Sequence, residues 1–516
     1  MVATVTEAQI DALAEILEER ERATKEGVKN FVEPAAGTLV RVKSKRDHFI
    51  FGRRGTGKTS LLTKANVDLR GEGHITAEIN LGDFSTHTYP DLIISVLITL
   101  FEGLQLCVYE YYQKAKKEHV EKTGFWSKLF KRNDNPRLKR IEYMIEEIKA
   151  IENELRGVLY AEDGATIKAT TVAESAASGI SRVGVGIETD VVNIEATEAT
   201  SKTRKDTKGL EEAYKRNKID YLKRKTIEYS AIIKKVYNNA AKDTYIFLDD
   251  LYRINWEDQP RLLEYIHNLT YRKNAWLKIG TIKYRSNWYQ DGKPPLGLRL
   301  GDDAQEINLD TTLNDFSATK NFLRKVLLGF LNEVSIPKLD TIMTDGAFER
   351  LVLASGGVAR DAIGILRRGL GVEREKQKGT LPFRLDAESI NTAAGEYVDS
   401  VKSQDFNNDG TADLTHVFDS IKDFCIRKNK ANCFLFDMAA TKLKADIIAA
   451  LADLRVIHLA RVRETVSKQP GQVFQAYMLD IGFYTGIRKI KGLDMIEFWK
   501  TEQKEKLRRS SYIFDI

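Results

Sequence analysis

The run Gly52-Arg53-Arg54-Gly55-Thr56-Gly57-Lys58-Thr59 fills every position of the G-x-x-x-x-G-K-[ST] pattern, and the apolar stretch His48-Phe49-Ile50-Phe51 stands directly before it. The combination requires a strand that ends in a glycine-rich turn and re-enters the fold as a helix. The glycines let successive backbone N–H groups face inward, and a helix opening at Lys58 adds the positive end of its dipole. Such a nest holds phosphate oxygens, so residues 52–60, Ser60 included, are the expected binding residues for a nucleoside triphosphate, ATP in the simplest case. Lys58 would reach the β- and γ-phosphates, and the Thr59 hydroxyl would complete the shell of a Mg2+ ion. A chance glycine turn before a helix is the bland alternative. The apolar strand ahead and Leu61-Leu62 behind argue against it.

Phosphate chemistry of this kind also needs an acid at the tip of a buried strand. Thr244-Tyr245-Ile246-Phe247-Leu248-Asp249-Asp250 provides one. Asp249 is expected to face the metal, and Asp250 to polarise the attacking water. A buried strand ending in an Asp pair is common in α/β folds, so its weight comes from its union with the P-loop.

At 516 residues, the chain has room for two to four domains. Lys and Arg number 80 against 74 Asp and Glu, a net charge of +6, so any basic surface must be local and composition does not decide for or against nucleic acid. Three scattered cysteines, Cys107, Cys425 and Cys433, exclude a disulfide framework and fit a reducing cytoplasm. The first helix, with Glu7, Asp11 and Glu15 among apolar residues, does not read as a secretion signal, and Leu92–Leu106 is too short and too interrupted for a bilayer span. No transmembrane segment is expected.

Ile75–Leu81 reads as the next strand of a parallel sheet. Ala275–Thr281 and Gln305–Leu309 follow the acid strand. Between Ile75–Leu81 and the acid strand lies an insertion, about 107–240. Leu138, Ile141, Ile145, Ile148, Ile151, Leu155 and Val158 recur at helical spacing, with Leu222, Tyr229, Ile232 and Val236 on the return, so a projecting helical hairpin is expected. Its tip, 161–209, reads either as a mobile loop or, from alternating Val183, Val185, Ile187 and Val191, as strands that order on a partner. The basic run from Lys114 to Arg140, with Phe125, Trp126 and Phe130, suits a solvated helix face, a phosphate backbone or an anionic membrane surface. Beyond Ser317 the pattern is helical up to Ser355-Gly356-Gly357-Val358-Ala359-Arg360. From 414 to 479 the order is helix, strand, helix, strand, strand, with Pro470-Gly471 turning the last pair, which is the order of a winged helix. The expected fold class is therefore α/β: a P-loop NTPase parallel sheet with helical hairpin insertion, helical lid and C-terminal winged helix. The boundaries are 1–46 for an N-terminal helical segment, 47–310 for the nucleotide domain, 311–400 for the lid, 405–500 for the winged helix and 501–516 for a tail.

With its parts in this order, the chain resembles the AAA+ ATPases of the initiator type, similar to the origin-recognition group and its bacterial relatives, over residues 30–90 and 243–480. The resemblance implies that Thr281, at the end of the strand after the acid strand, senses the γ-phosphate and that Arg360 of the lid contacts the phosphates. It also implies that an arginine before the last strand enters a neighbour's site in an oligomer: Arg299, with Arg285 as the second candidate. Bacterial relatives often serve antiviral defence beside a separate effector protein. The chain departs from the pattern in two places. Asp250 stands where the family has Glu, which suggests slow, switch-like hydrolysis, and the insertion is foreign to initiators.

Other motif matches do not hold. Asn217-Lys218-Ile219-Asp220 fits a guanine-reading pattern but precedes the acid strand. Leu353–Gly357 resembles an ABC signature but follows it. Asp405, Asn407, Asp409 and Gly410 open like a calcium loop, yet His416 stands at the twelfth position, so a plain turn is expected. Three functions remain: a slowly hydrolysing switch ATPase that oligomerises and couples its state to a partner protein or nucleic acid through the hairpin and winged helix, a DNA-binding initiator or loader using Lys442, Lys444, Arg455, Arg461, Arg463 and Lys468, and a nucleotide-gated scaffold.

Overall fold

The computed structural model describes residues 5–21, 31–129, 135–160, 203–377, 383–486 and 490–516. The expected strands at 183–191, the rest of the insertion tip up to 202, and Phe130, Lys131 and Arg132 lie outside the described residues.

A five-stranded sheet carries the N-terminal half, in the order β2 (Ile75–Asn80), β3 (Thr244–Asp249), β4 (Ala275–Thr281), β1 (His48–Phe51), β7 (Gln305–Asn308), while β5 (Tyr289–Gln290) and β6 (Leu296–Gly297) pair apart from it, α2 (Thr38–Lys43) precedes β1 and α7 (Gln259–Thr270) precedes β4. All its pairings are parallel, with Asn80 opposite Asp249 and Phe51 opposite both Thr281 and Asn308. The strand tips at this carboxyl edge therefore line up. Parallel strands are covered on both faces, which is why β1 and β3 are buried along their whole length. After β1 the chain moves outward to β2 and back through β3 to β4, and β7 then joins on the other flank of β1. This change of direction leaves the crevice at the tip of β1 in which open α/β sheets place ligands.

The insertion departs from the expected two-helix projection. The core helix after β2 runs on as α4 (Asp91–Leu129), and α5 (Pro136–Leu159) and α6 (Thr203–Ala240) fold back beside it. Arg137 meets the Tyr111 hydroxyl and Arg156 meets Glu102, so α4 and α5 run antiparallel. Lys235–Glu147 and Lys225–Glu154 set α6 antiparallel to α5. Ile141, Ile148, Ile151, Leu155, Tyr229, Ile232 and Val236 share one core with Ile75, Ile79 and Phe101, so the three helices thicken the sheet domain. Residues 91–119 of α4 are long and apolar enough to cross a membrane, but 67% of the most apolar window is buried inside the molecule. Lys218 of the guanine-like motif is buried in α6 and holds Asp91 at 2.8 Å. Lys114, Lys116 and Lys117 are exposed on α4, as a solvated face would be.

Where the lid is expected, the chain folds as α8 (Phe316–Glu333), α9 (Asp345–Ser355), α10 (Ala359–Gln377) and α11 (Ala387–Tyr397). Two sequence-based boundaries change here. The N-terminal helix α1 (Glu7–Glu19), capped by Thr6 and Gln9, is no separate segment. Its Ile10, Leu13 and Leu17 enter the lid core, and Asp11 and Glu18 pair with Arg374 and Arg367 of α10. The last residues are no free tail either: Phe514 packs edge-on against Phe424 and Phe434, and its N–H donates to the Leu435 carbonyl. The calcium-like run is helical, not a turn: α12 (Ser403–Asp409) ends at Gly410. Among the described residues no group of three or more His, Cys, Asp or Glu could hold a metal ion.

The C-terminal unit holds α13 (Ala412–Asp423), β8 (Cys433–Asp437), α14 (Lys442–Asp453), β9 (Ile457–Glu464) and β10 (Phe474–Leu479), with an antiparallel sheet in the order β8-β10-β9. It shares its core with the lid. Cys107, Cys425 and Cys433 are all buried and free.

Candidate nucleotide site

The turn after β1 folds as its glycines require. Gly55 and Gly57 have φ of +82° and +96°, the left-handed region that glycine enters at no steric cost. A Cβ on Gly55 would lie 2.7 Å from Arg360 Cβ and 3.0 Å from Val358, and a Cβ on Gly52 would collide with the Thr56 hydroxyl. The helix α3 (Lys58–Gly71) opens at Lys58 with Gly57 as its N-cap, so its first N–H groups converge on the turn.

Asp249, two strands away, reaches this helix. Thr59 Oγ1 donates to Asp249 Oδ2 at 2.6 Å, while the other carboxylate oxygen accepts the Asp250 N–H at 2.9 Å. Burial and the neighbouring Asp250 push the Asp249 carboxyl up to about 6, against the pull of Thr59 and Lys58. Gly280 of β4 makes the approach possible, because a Cβ there would fall on Asp249 Oδ1. Lys58 Nζ donates to the carbonyls of Gly52 at 2.8 Å and Arg53 at 3.1 Å. Burial lowers its pKa, while Asp249, Asp250 and Asp310 act the other way. Asp250 takes a left-handed φ of 58° and lies 3.6 Å from Arg253. A buried lysine, a hydroxyl and two carboxylates around one turn are the donor set that a triphosphate with Mg2+ uses.

The cleft beside them has a volume of about 410 Å³, enough for a nucleotide. Arg54, Gly55–Ser60 and Asp250 form one side. The lid contributes Arg360, whose N–H bonds the Gly55 carbonyl at 3.2 Å and whose buried Nε has no hydrogen-bond partner. Sequence reasoning missed the apolar wall: Phe31 and Val32 ahead of the P-loop, and Phe322, Val326 and Phe330 of α8. The last three are spaced by four, one stripe of a helix, and that signal was available. Tyr252 and Arg253, which carried no motif, also line the cleft, as does Asp405 from the calcium-like run.

Not every expected residue meets it. Arg53 turns away from the cleft, because a buried guanidinium needs several acceptors at once. It finds them in Asp310 at 3.2 Å and in the carbonyls of Thr311 and Gly356 at 2.7 and 3.1 Å, which ties the P-loop to the lid turn. Thr281 stands at the tip of β4 opposite Phe51, fully buried, with its hydroxyl bonded to Ser286 and outside the cleft wall. Arg299 lies on an exposed loop, bonded to the Tyr289 hydroxyl at 2.6 Å and 3.7 Å from Asp302. Arg285 instead turns inward, to Asp409 at 3.0 Å.

No protein-family model matches this chain, and no curated protein does. Among solved structures, the ORC1 protein of Aeropyrum pernix in complex with DNA is similar over 93% of this chain and 91% of its own, at 12% identity and a TM-score of 0.30. The ORC2 protein of the same organism, in ADPNP–ADP complexes, is similar over 93% and 92%, at 11% identity and a TM-score of 0.29. At that level neither likeness adds to what the chain's own residues establish.

Proposed function

We propose that the chain is an ATP-binding, slowly hydrolysing switch ATPase of the AAA+ initiator-like type, which oligomerises and couples its nucleotide state to a partner through the C-terminal unit. The observation that carries this reading is the 2.6 Å contact between Thr59 and Asp249, residues 190 apart in sequence, with Lys58 beside them. Thr59 and Asp249 would hold Mg2+, which when bound supplies charge neutralisation at the phosphates. Lys58 and Arg360 place fixed positive charge around the phosphate cradle. Asp250 would orient the water and accept its proton. Its side chain is one methylene shorter than the glutamate of the resembled family, which supports slow turnover. Arg299, exposed and outside its own cleft, is available to a neighbour's site, where such an arginine is worth on the order of 10³-fold or more in rate.

Calorimetry and steady-state turnover test the reading. Lys58→Ala is expected to abolish ATP uptake, and Asp250→Asn to keep uptake while turnover falls by roughly 10²-fold or more. ATP uptake undiminished in Lys58→Ala would rule the reading out. If Asp250→Asn still signals to its partner, the chain works as a nucleotide-gated scaffold. An antiviral role belongs to the same reading, and a phage challenge of cells carrying Lys58→Ala, which should lose protection, checks it.

The DNA-binding initiator reading has one observation in its favour: the first turn of α14, the helix that a winged helix would present, leaves Lys442 and Leu443 exposed. Its other end is occupied, because Asp453 faces Asp310, Arg53 and Arg285 across the nucleotide domain.

A further inference from the structure

Arg54 lines the nucleotide cleft, yet its charge partners are carboxylates of its own chain. α12 carries Asp405 and Asp409 four residues apart, so both project from one helix face. Arg54 Nη1 lies 2.7 Å from Asp409 Oδ2 and 3.4 Å from Asp405 Oδ1. The same Asp409 oxygen takes Arg285 at 3.0 Å, and the two guanidiniums lie over the Tyr252 ring at 5.6 and 5.3 Å from its centroid. Burial alone would raise the Asp409 carboxyl, but Arg285 with Arg54 and Arg253 holds it below the usual range, so it stays an anion. Asp405 also receives Arg455, which in turn pairs with Asp361, the residue after Arg360.

A guanidinium held by anionic oxygens already has the kind of partner that a phosphate offers. We infer that Arg54 is the residue that tells a nucleoside triphosphate from a diphosphate, and that Asp405 and Asp409 of α12 are built-in competitors for it, standing where the terminal phosphate's oxygens would engage. The inference rests on the nucleotide-binding reading above. A triphosphate must draw Arg54 off α12 and a diphosphate need not, so the carboxylate pair lowers the preference of the resting chain for the triphosphate. Because α12 lies on the connection from the lid into the C-terminal unit, any partner that shifts it changes that preference, and by linkage the triphosphate changes the partner's affinity by the same factor.

Calorimetry on the full chain with Mg2+, using ADP and the non-hydrolysable β,γ-imido analogue of ATP, tests this. In Asp409→Asn the ratio of triphosphate to diphosphate affinity is expected to rise about tenfold. In Arg54→Ala the ratio is expected to fall, and adding Asp409→Asn to it should change nothing further. A ratio unmoved by Arg54→Ala, or one that Asp409→Asn moves equally with and without Arg54, overturns the inference. Should Asp409→Asn fail to fold, Arg54→Ala decides alone. If the wild-type chain takes up neither nucleotide, the nucleotide reading falls as well; if it binds both and the ratio never moves, only this inference falls.

Discussion

At the scale of single residues, Asp453 shows how far packing can move a side chain from its ordinary chemistry. It ends α14, a helix of mostly Ala, Ile and Leu with Asp446 and Asp453 as its acids, and its Oδ2 is buried with no hydrogen-bond partner. Burial, with Asp310 adding to it, pushes the carboxyl up to about 7, against the pull of Arg53, Lys58 and Arg285. The folded chain thus holds this proton more tightly than the unfolded chain does. For an acid raised in this way, stability is greatest below its unfolded pKa and is lost as pH climbs to about 7. Asp453→Asn removes that loss. The variant is expected to unfold about 2 °C or more above wild type at pH 8, with the gap narrowing at pH 5, as scanning calorimetry would show. An equal gap at both pH values would contradict the assignment.

At the scale of elements, the sheet strands and the helix after the glycine-rich turn were legible because their signals are local. β1 and β3 are short, largely apolar runs, β4 is one interrupted by Lys278, and Gly57-Lys58 marks the helix start by spacing alone. α12 was not legible, since the same Asp405-Asn407-Asp409-Gly410 run fits a loop or a helix and only its partners decide. Those partners form a buried charge cluster: Arg455 with Asp361 and Asp405, and Lys402 with Asp361 and Asp480, joined by His458 at 2.8 Å from Asp480. Charges removed from water hold only while they are paired. Arg455→Ala leaves Asp361 short of a cation at full burial and is expected to cost roughly 3–5 kcal/mol of stability, read from the denaturant midpoint. A loss below about 1 kcal/mol would mean the cluster is solvated. Arg455, which the sequence offers for DNA phosphates, is 2% exposed and belongs to this cluster.

At the scale of the whole molecule, the C-terminal unit shares one core with α8–α11, and α14 has its last residue, Asp453, near Asp310, Arg53 and Arg285 of the sheet domain. That end of α14 is not free for nucleic acid, so on the initiator reading affinity for duplex DNA comes from the few cations near its other end. Titrating duplex against salt is expected to give a shallow slope, corresponding to about two or three released counterions. A steep slope, or a loss of binding in Arg455→Ala at unchanged stability, would favour the initiator reading over the switch.

What this sequence determined by itself was everything that one segment can encode in its own backbone and period: the phosphate turn, the buried strands, the acid pair and the helical spacing of the insertion. Tertiary structure alone decided which distant groups share a space. It brought Asp249 to Thr59, took Arg53 and Arg455 out of the pool of free cations, and set two aspartates of α12 against Arg54. The reason is physical. A glycine's φ or a strand's alternation is fixed by nearest neighbours, whereas the partner of a buried charge is fixed by whichever opposite charge the packing leaves within reach.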